Sequence, residues 1–300
     1  MLVLAPHFAP RPFQCTHLGI PAALRKVKKA LLLGYDHVAH LDIRSHYASF
    51  ELEKLVTDLP LPKELVEHAI VGWHMKVTWD QERYGHKSTH LLPPNYLLQE
   101  ARQGIPLGSS CSPLIAMFSM SCLPWLPIPG VVLVNFADNF LLLATSAHDL
   151  EKAVGELTDA VSNLPGGHFE LKLMEAKSAP DGFEFLGHHL RSKQEVLIVK
   201  PSSGNLQEFL GKLANLDTAL GKALYGPGKP DKALALQILA QMHGFTQGWM
   251  SAFAGCDKIE RYAAMPLQEI AEATTSLNID LKILDAHVDG SMGYDWSGGY

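Results

Sequence analysis

Cysteine is scarce in this sequence: four in 300 residues, Cys15, Cys111, Cys122 and Cys256, with no CxxC spacing among them. That excludes a disulfide scaffold and speaks against a structural zinc cluster, so the thiols are read as reduced, in a cytoplasmic protein. Long apolar runs are missing too. Stretches such as Val131–Val134 and Leu141–Leu143 are far too short to span a membrane, and no membrane partner is expected. Residues Met1–Pro6 lack a basic n-region, so no signal peptide is expected. Positive charge is in deficit, 25 Lys and Arg against 31 Asp and Glu, which excludes a uniformly basic nucleic-acid surface. Internal repeats, low-complexity tracts, HExxH, Gly-x-Ser-x-Gly and P-loop patterns are all absent. His188 and His189 are adjacent, so on a strand they face opposite sides. What remains is a chain 47% hydrophobic and 19% charged, a composition that folds around a core.

Charge is unevenly spread. Residues 1–41 carry Arg11, Arg25, Lys26, Lys28 and Lys29 against the single acid Asp36. Leu24, Val27 and Leu31 recur at helical spacing, which predicts a helix over 22–33 with Gly34 at its C-terminal end. A short alternating strand is expected over 36–43, and helix over 48–76 with interruptions near Pro60 and Pro62. Val131–Phe136 and Phe140–Ala144 read as a β-hairpin with Asp138 and Asn139 at its turn. A helix follows from Ala147 to about Asn163, capped by Ser146 and stopped by Pro165-Gly166-Gly167. Strands are expected over 168–173, 183–190 and 195–199, then helices over 206–220, 231–255 and 257–275. The tail from Gly290 to Tyr300 reads as mobile.

Four features gain meaning from their order. Asp42 ends a strand, in Leu41-Asp42-Ile43-Arg44-Ser45-His46-Tyr47-Ala48-Ser49-Phe50. Gly104-Ile105-Pro106-Leu107-Gly108 runs into Ser112-Pro113-Leu114, a helix start with Ser112 as its cap. Phe136-Ala137-Asp138-Asn139 closes the hairpin. Lys177 and Phe185-Leu186-Gly187 come after it. Each element alone is commonplace: a strand-end Asp is usually a turn former, Tyr47 an ordinary core aromatic, Lys177 a surface lysine.

As an ordered set they resemble the palm motifs of bacterial reverse transcriptases, of the retroelement and group II intron type, over roughly residues 15–255. The resemblance implies an α+β fold: a right-hand palm, an antiparallel sheet with packed helices, followed by a small helical thumb. Residues 1–37 would be residual fingers, 38–200 the palm, 201–276 the thumb and 277–300 a tail. It implies an RNA-directed DNA polymerase working by two-metal phosphoryl transfer, with two Mg²⁺ ions, or Mn²⁺ in their place. Asp42, Asp138 and Asn139 would be catalytic, with Asp42, Ile43 (through its carbonyl) and Asp138 as metal ligands. Tyr47, Arg44, Gly104, Pro106, Leu107, Gly108 and Lys177 would bind the incoming deoxynucleoside triphosphate, Tyr47 excluding a 2′-hydroxyl. Phe185, Leu186 and Gly187 would hold the DNA primer, and Arg25, Lys26, Lys28 and Lys29 the RNA template.

Three departures qualify the resemblance. Asn139 replaces the second Asp of the usual box. Leu107 stands where Gln is usual, a feature shared with defence-associated members of the family. Only 41 residues precede Asp42, so most of the fingers is missing, and a second protein chain is a candidate to complete it. These departures favour the alternative, a catalytically silent polymerase-like subunit that binds RNA or a partner protein, whereas the two aspartates favour the enzyme. An RNA-synthesising palm is a third reading, opposed by Tyr47.

Overall fold

The computed structural model describes residues 11–71, 103–106, 109–125, 127–193, 196–227 and 230–277. Leu107, Gly108, Glu195, the stretch 77–102 and the tail from 278 onward lie outside the described residues.

The molecule is a mixed α/β protein built on antiparallel sheets. Its chain divides into two units. One runs through Leu186 and includes Ser192–Leu197; the other comprises Gly187–Arg191 and the chain from Ile198 onward. In the first unit, α1 (Ile20–Leu32) has Pro21 in its opening turn and Gly34 at φ +84° just past its end. β1 (His37–Ile43) follows, then α2 (Leu52–Asp58), and a short helical segment, Lys63–Leu65 continued by Val66–Ile70. Next come α3 (Ser112–Ser121), β2 (Val131–Phe136), β3 (Asn139–Ala144), α4 (Ala147–Ser162) and β4 (Leu171–Ser178).

These strands form a four-stranded sheet of order β2-β3-β1-β4 with every pair antiparallel. β1 is central and alternates: Ala39, Leu41 and Ile43 are buried while His40 and Asp42 are half-buried. The apolar face joins Phe140 and Leu142 of β3, Leu157 and Val161 of α4 and Ile115 and Phe118 of α3 in one core. α1 packs on β2 and β3 within this unit. Its apolar stripe is Leu24, Val27 and Leu31, as the spacing predicts.

Two local expectations need correction. Ser112 is not the cap of α3: Cys111 precedes the helix, and the Ser112 hydroxyl donates to the Pro106 carbonyl at 2.6 Å. β4 is Leu171–Ser178, not 168–173, because Leu171–Ser178 pair along the whole of β1, with a bulge between His40 and Leu41. As an edge strand it has no fully buried position, and its polar end, Glu175-Ala176-Lys177-Ser178, therefore does not alternate in sequence.

The stretch 183–190 is likewise two strands, β5 (Phe183–Phe185) and β6 (His188–Lys193), which with β7 (Val196–Pro201) make a three-stranded sheet. Leu186 (φ +48°) and Gly187 (φ +73°) form the turn between them. In the second unit α5 (Ser203–Tyr225), α6 (Lys232–Ala252) and α7 (Glu260–Leu277) pack in sequence, α5 on α6 and α6 on α7. Ser202 and Asp231 cap the first two, and Phe209 stacks on Trp249 with centroids 4.1 Å apart. Among the described residues no helix is long and apolar enough to cross a membrane.

Candidate active site

The centre of interest is the end of the sheet where β1 stops and the β2–β3 hairpin turns. Asp42 pairs with Asn139 in the β1–β3 register, so both side chains project from the same face. The hairpin turn is Ala137-Asp138, and Asn139 is already the first residue of β3, so the strand begins one position earlier than expected. The Ile43 N–H donates to the Asp138 carbonyl at 3.2 Å, which ties the strand end to the turn. The turn is braced from three sides. Buried Asn135 donates its amide to the carbonyls of Ala137 (2.8 Å) and Asn139 (3.1 Å), and the Ala137 N–H donates to the Thr16 hydroxyl at 2.7 Å.

Backbone strain collects here. Among the described residues the non-glycine positions with positive φ are Ser45 (+47°), Ala137 (+51°), Leu186 (+48°) and Lys258 (+57°). The first two flank the acid pair, three residues after Asp42 and one before Asp138. Each such residue costs on the order of 1–3 kcal/mol and persists only where its surroundings impose it.

The electrostatics are equally uneven. Burial, then the nearby charge of Asp138, pushes the Asp42 carboxyl from 3.8 up to about 6, against the weaker pull of the Ile43 backbone and Lys172. Its Oδ1 is buried and has no hydrogen-bond partner. Asp138 is half-buried. Behind it sits His46, 5% exposed, with Nδ1 4.0 Å from Asp138 Oδ2 and Nε2 buried without a partner. Burial lowers the His46 pKa to about 4 despite Asp138, so the ring is neutral. It is enclosed by Tyr47, Phe50 and Phe169, at centroid distances of 5.4–5.8 Å.

Asn139 is committed on both sides. His40 Nε2 donates to its Oδ1 at 3.1 Å, and its own Nδ2 donates to Asp138 Oδ1 at 3.3 Å. It therefore orients Asp138 and keeps its oxygen for His40. His40 in turn meets Phe185 edge-on at 5.6 Å.

The remaining expected residues divide into those near the pair and those away from it. Tyr47 is near: its hydroxyl pKa is raised by burial and then by the charge of Asp138. Gly104 and Ile105 dock on it, Ile105 N–H donating to the Tyr47 carbonyl at 3.0 Å. A Cβ on Gly104, at φ +67°, would stand 1.9 Å from that same oxygen, so only glycine fits. Pro106 closes the loop through Ser112. Arg44 leaves the strand end for an exposed ion pair with Glu170 at 3.2 Å.

Lys177 is not brought to the acids. It pairs opposite Val38, four positions along β1 from Asp42, roughly 13 Å away at the usual strand rise, and it is ion-paired with Glu175. The lysine opposite Asp42 is Lys172. Phe185 is fully buried, and a Cβ on Gly187 would lie 2.7 Å from the Asn205 amide. Lys26 donates to the Pro12 carbonyl; Arg25 and Lys29 are exposed and Lys28 half-buried along α1.

Sequence reasoning missed His40, His46 and Lys172. His40 was within reach, because a two-residue period puts it on the same face as Asp42. Lys172 needed the strand register, and the proximity of His46 to Asp138 needed the tertiary fold.

Among the described residues no three His, Cys, Asp or Glu side chains cluster as a metal site. The donor set here is two carboxylates. That suits a hard cation such as Mg²⁺, which takes one or two protein carboxylates and completes its shell with water and substrate phosphates. The orphaned Asp42 Oδ1 is the atom such an ion would satisfy.

No protein-family model matches the chain, and no curated protein matches it. Among solved structures, telomerase from Candida albicans in complex with a TWJ fragment of telomeric RNA is similar at 13% identity and a TM-score of 0.37. The match covers 92% of this chain and 51% of the telomerase chain, so the chain spans about half of that protein's length. A likeness at that TM-score is too loose to assign an activity.

Proposed function

We propose that this chain is an RNA-directed DNA polymerase of the reverse-transcriptase type, with the four-stranded sheet as its palm and the helical unit as its thumb. The observation that carries the reading is Asp42: a buried carboxylate oxygen without a partner at the end of β1, opposite Asn139 and within reach of the charge of Asp138 at the hairpin turn. Two carboxylates held together at a braced, strained turn are unfavourable by themselves and favourable around a divalent cation.

Asp42 and Asp138 would hold the divalent ion, which when bound would supply Lewis-acid stabilisation of the charge that develops during phosphoryl transfer. Asn139 and His40 fix the direction of Asp138, and neutral His46 fills the space behind it without adding charge. Tyr47 stands beside the sugar and selects against a 2′-hydroxyl, its backbone clamped by Gly104 and Ile105. Arg44 exchanges its exposed partner Glu170 for a phosphate at little cost. Lys172, opposite Asp42, takes the role first expected of Lys177: it meets the triphosphate and protonates the leaving pyrophosphate.

Primer extension with Mg²⁺ or Mn²⁺ on an RNA template tests this. Deoxynucleotide incorporation is expected, with a loss on the order of 10³-fold in Asp138→Ala. Incorporation no greater than that variant's background removes the enzyme and leaves the silent, RNA-binding subunit. A preference for ribonucleotides makes it an RNA-synthesising palm instead.

A further inference from the structure

β2 is an outer strand of the four-stranded sheet, and its run Val131-Val132-Leu133-Val134 is apolar throughout. Its far end has a second neighbour: the Asn135 N–H donates to the Phe13 carbonyl at 2.9 Å, and the Cys15 N–H donates to the Asn135 carbonyl at 2.8 Å. Beside its start lies a groove of about 570 Å³ between the strand and α1. Trp125, Val132 and Leu133 floor this groove, Ala30 and Leu33 wall it, and the chain enters along it through Arg11, Pro12 and Phe13. Leu33 is 64% exposed although it lines this apolar surface. An edge strand with a bare apolar flank invites unwanted pairing, and folded proteins cover such places.

The direction of the chain and its composition together select the cover. The bridge between Gln14 and Asn135 is parallel, so the chain before Gln14 runs back beside β2 towards the groove. Lys26 of α1 donates to the Pro12 carbonyl, which fastens that entry to the helix. Residues 1–10, which lie outside the described residues, carry no acid, lysine or arginine, and bring Leu2, Val3, Leu4 and Phe8. Pro6 and Pro10 favour an extended chain, which lowers the entropy lost on docking.

We infer that the groove is the seat of this N-terminal segment, anchored by Phe8 on Trp125, Val132 and Leu33. Phe8 precedes Arg11 by roughly 10 Å of extended chain, so no intervening loop is needed. Tethered at Arg11, the segment acts at an effective concentration in the millimolar range, which favours it over a second copy or an outside peptide. The inference is independent of the polymerase reading and does not involve the acid pair.

Disulfide trapping in the full chain tests it, with Cys122→Ser removing the exposed native thiol. Under mild oxidation Ala9→Cys with Leu33→Cys is expected to close within one chain about tenfold faster than Ala9→Cys with Leu18→Cys. Leu18 is also exposed but lies outside the groove, beyond the opposite end of α1. Equal rates for the two pairs overturn the inference, and a bond between two chains overturns it in favour of a second copy. Phe8→Asp is expected to speed amide exchange over Val131–Val134 about tenfold and to raise the fluorescence of an apolar-surface dye severalfold, with β3 exchange unchanged. Phe8→Leu restores most of the protection. Unchanged exchange and dye signal in Phe8→Asp overturn it, as does polyglutamate that binds wild type as tightly as that variant, since the groove is then open to an acidic partner. If Phe8→Asp unfolds β3 as well, the two trapping rates decide.

Discussion

The two ends of β1 treat charge in opposite ways. At the His37 end, Glu175 and Lys177 on β4 neutralise each other: burial alone would raise the Glu175 pKa, but its hydrogen bond from Lys177 and that from the Glu184 backbone bring it below the usual range. At the Ile43 end, Asp42 and Asp138 are left together, one carboxylate oxygen has no partner, and the neighbouring histidine is too buried to charge. The same sheet that pairs its charges at one end leaves two carboxyl groups at the other, with Lys172 only a weak counterweight to Asp42. A fold that can satisfy its charges and does not do so at a strained, rigid turn has kept that place for something else.

The largest effect that would sharpen this contrast is expected at Gly104. Gly104→Ala drives a Cβ into the Tyr47 carbonyl at a left-handed backbone position, and a loss of about 3 kcal/mol in stability is expected by denaturant melting. A wild-type melt in that variant would mean the loop is not clamped as described. Next come the two lysines. Lys172→Gln should slow incorporation about a hundredfold, while Lys177→Gln stays within about twofold. The reverse order would return the role to Lys177 and break the contrast.

A smaller effect concerns pH. The folded state holds the Asp42 proton more tightly than the unfolded chain does, so stability is highest with that carboxyl protonated. It is lost as pH rises from 3.8 through about 6. Asp42→Asn should therefore melt a few degrees above wild type at about pH 8, with the difference fading below about pH 4 and shrinking when Mg²⁺ is added. Equal melting temperatures at high pH would show that the carboxylates are not crowded. The smallest effect is expected at the other end: Glu175→Gln should change stability by less than about 1 kcal/mol, because the partnered Lys177 is solvent-exposed and the pair is screened.

Much of the first unit was legible because its signals are local. The apolar runs Val131–Phe136 and Phe140–Ala144 needed only each other to make a hairpin, and the α4 stripe with Ser146 at its head needed only the helical period. β4 was misjudged because an edge strand exposes both faces, and exposed positions carry no alternation to read. The 183–190 stretch looked continuous because Leu186 is an improbable residue for a left-handed turn, and only the surrounding sheet imposes it.

The sequence by itself determined the local elements and the acids at strand end and turn, since these follow from periodicity and turn chemistry. Only the tertiary structure decided that Asp42 lies opposite Asn139, that Lys172 and not Lys177 faces it, and that His46 stands behind Asp138. Register and packing are properties of pairs far apart along the chain, and one residue of slip would put a different side chain at each of those places.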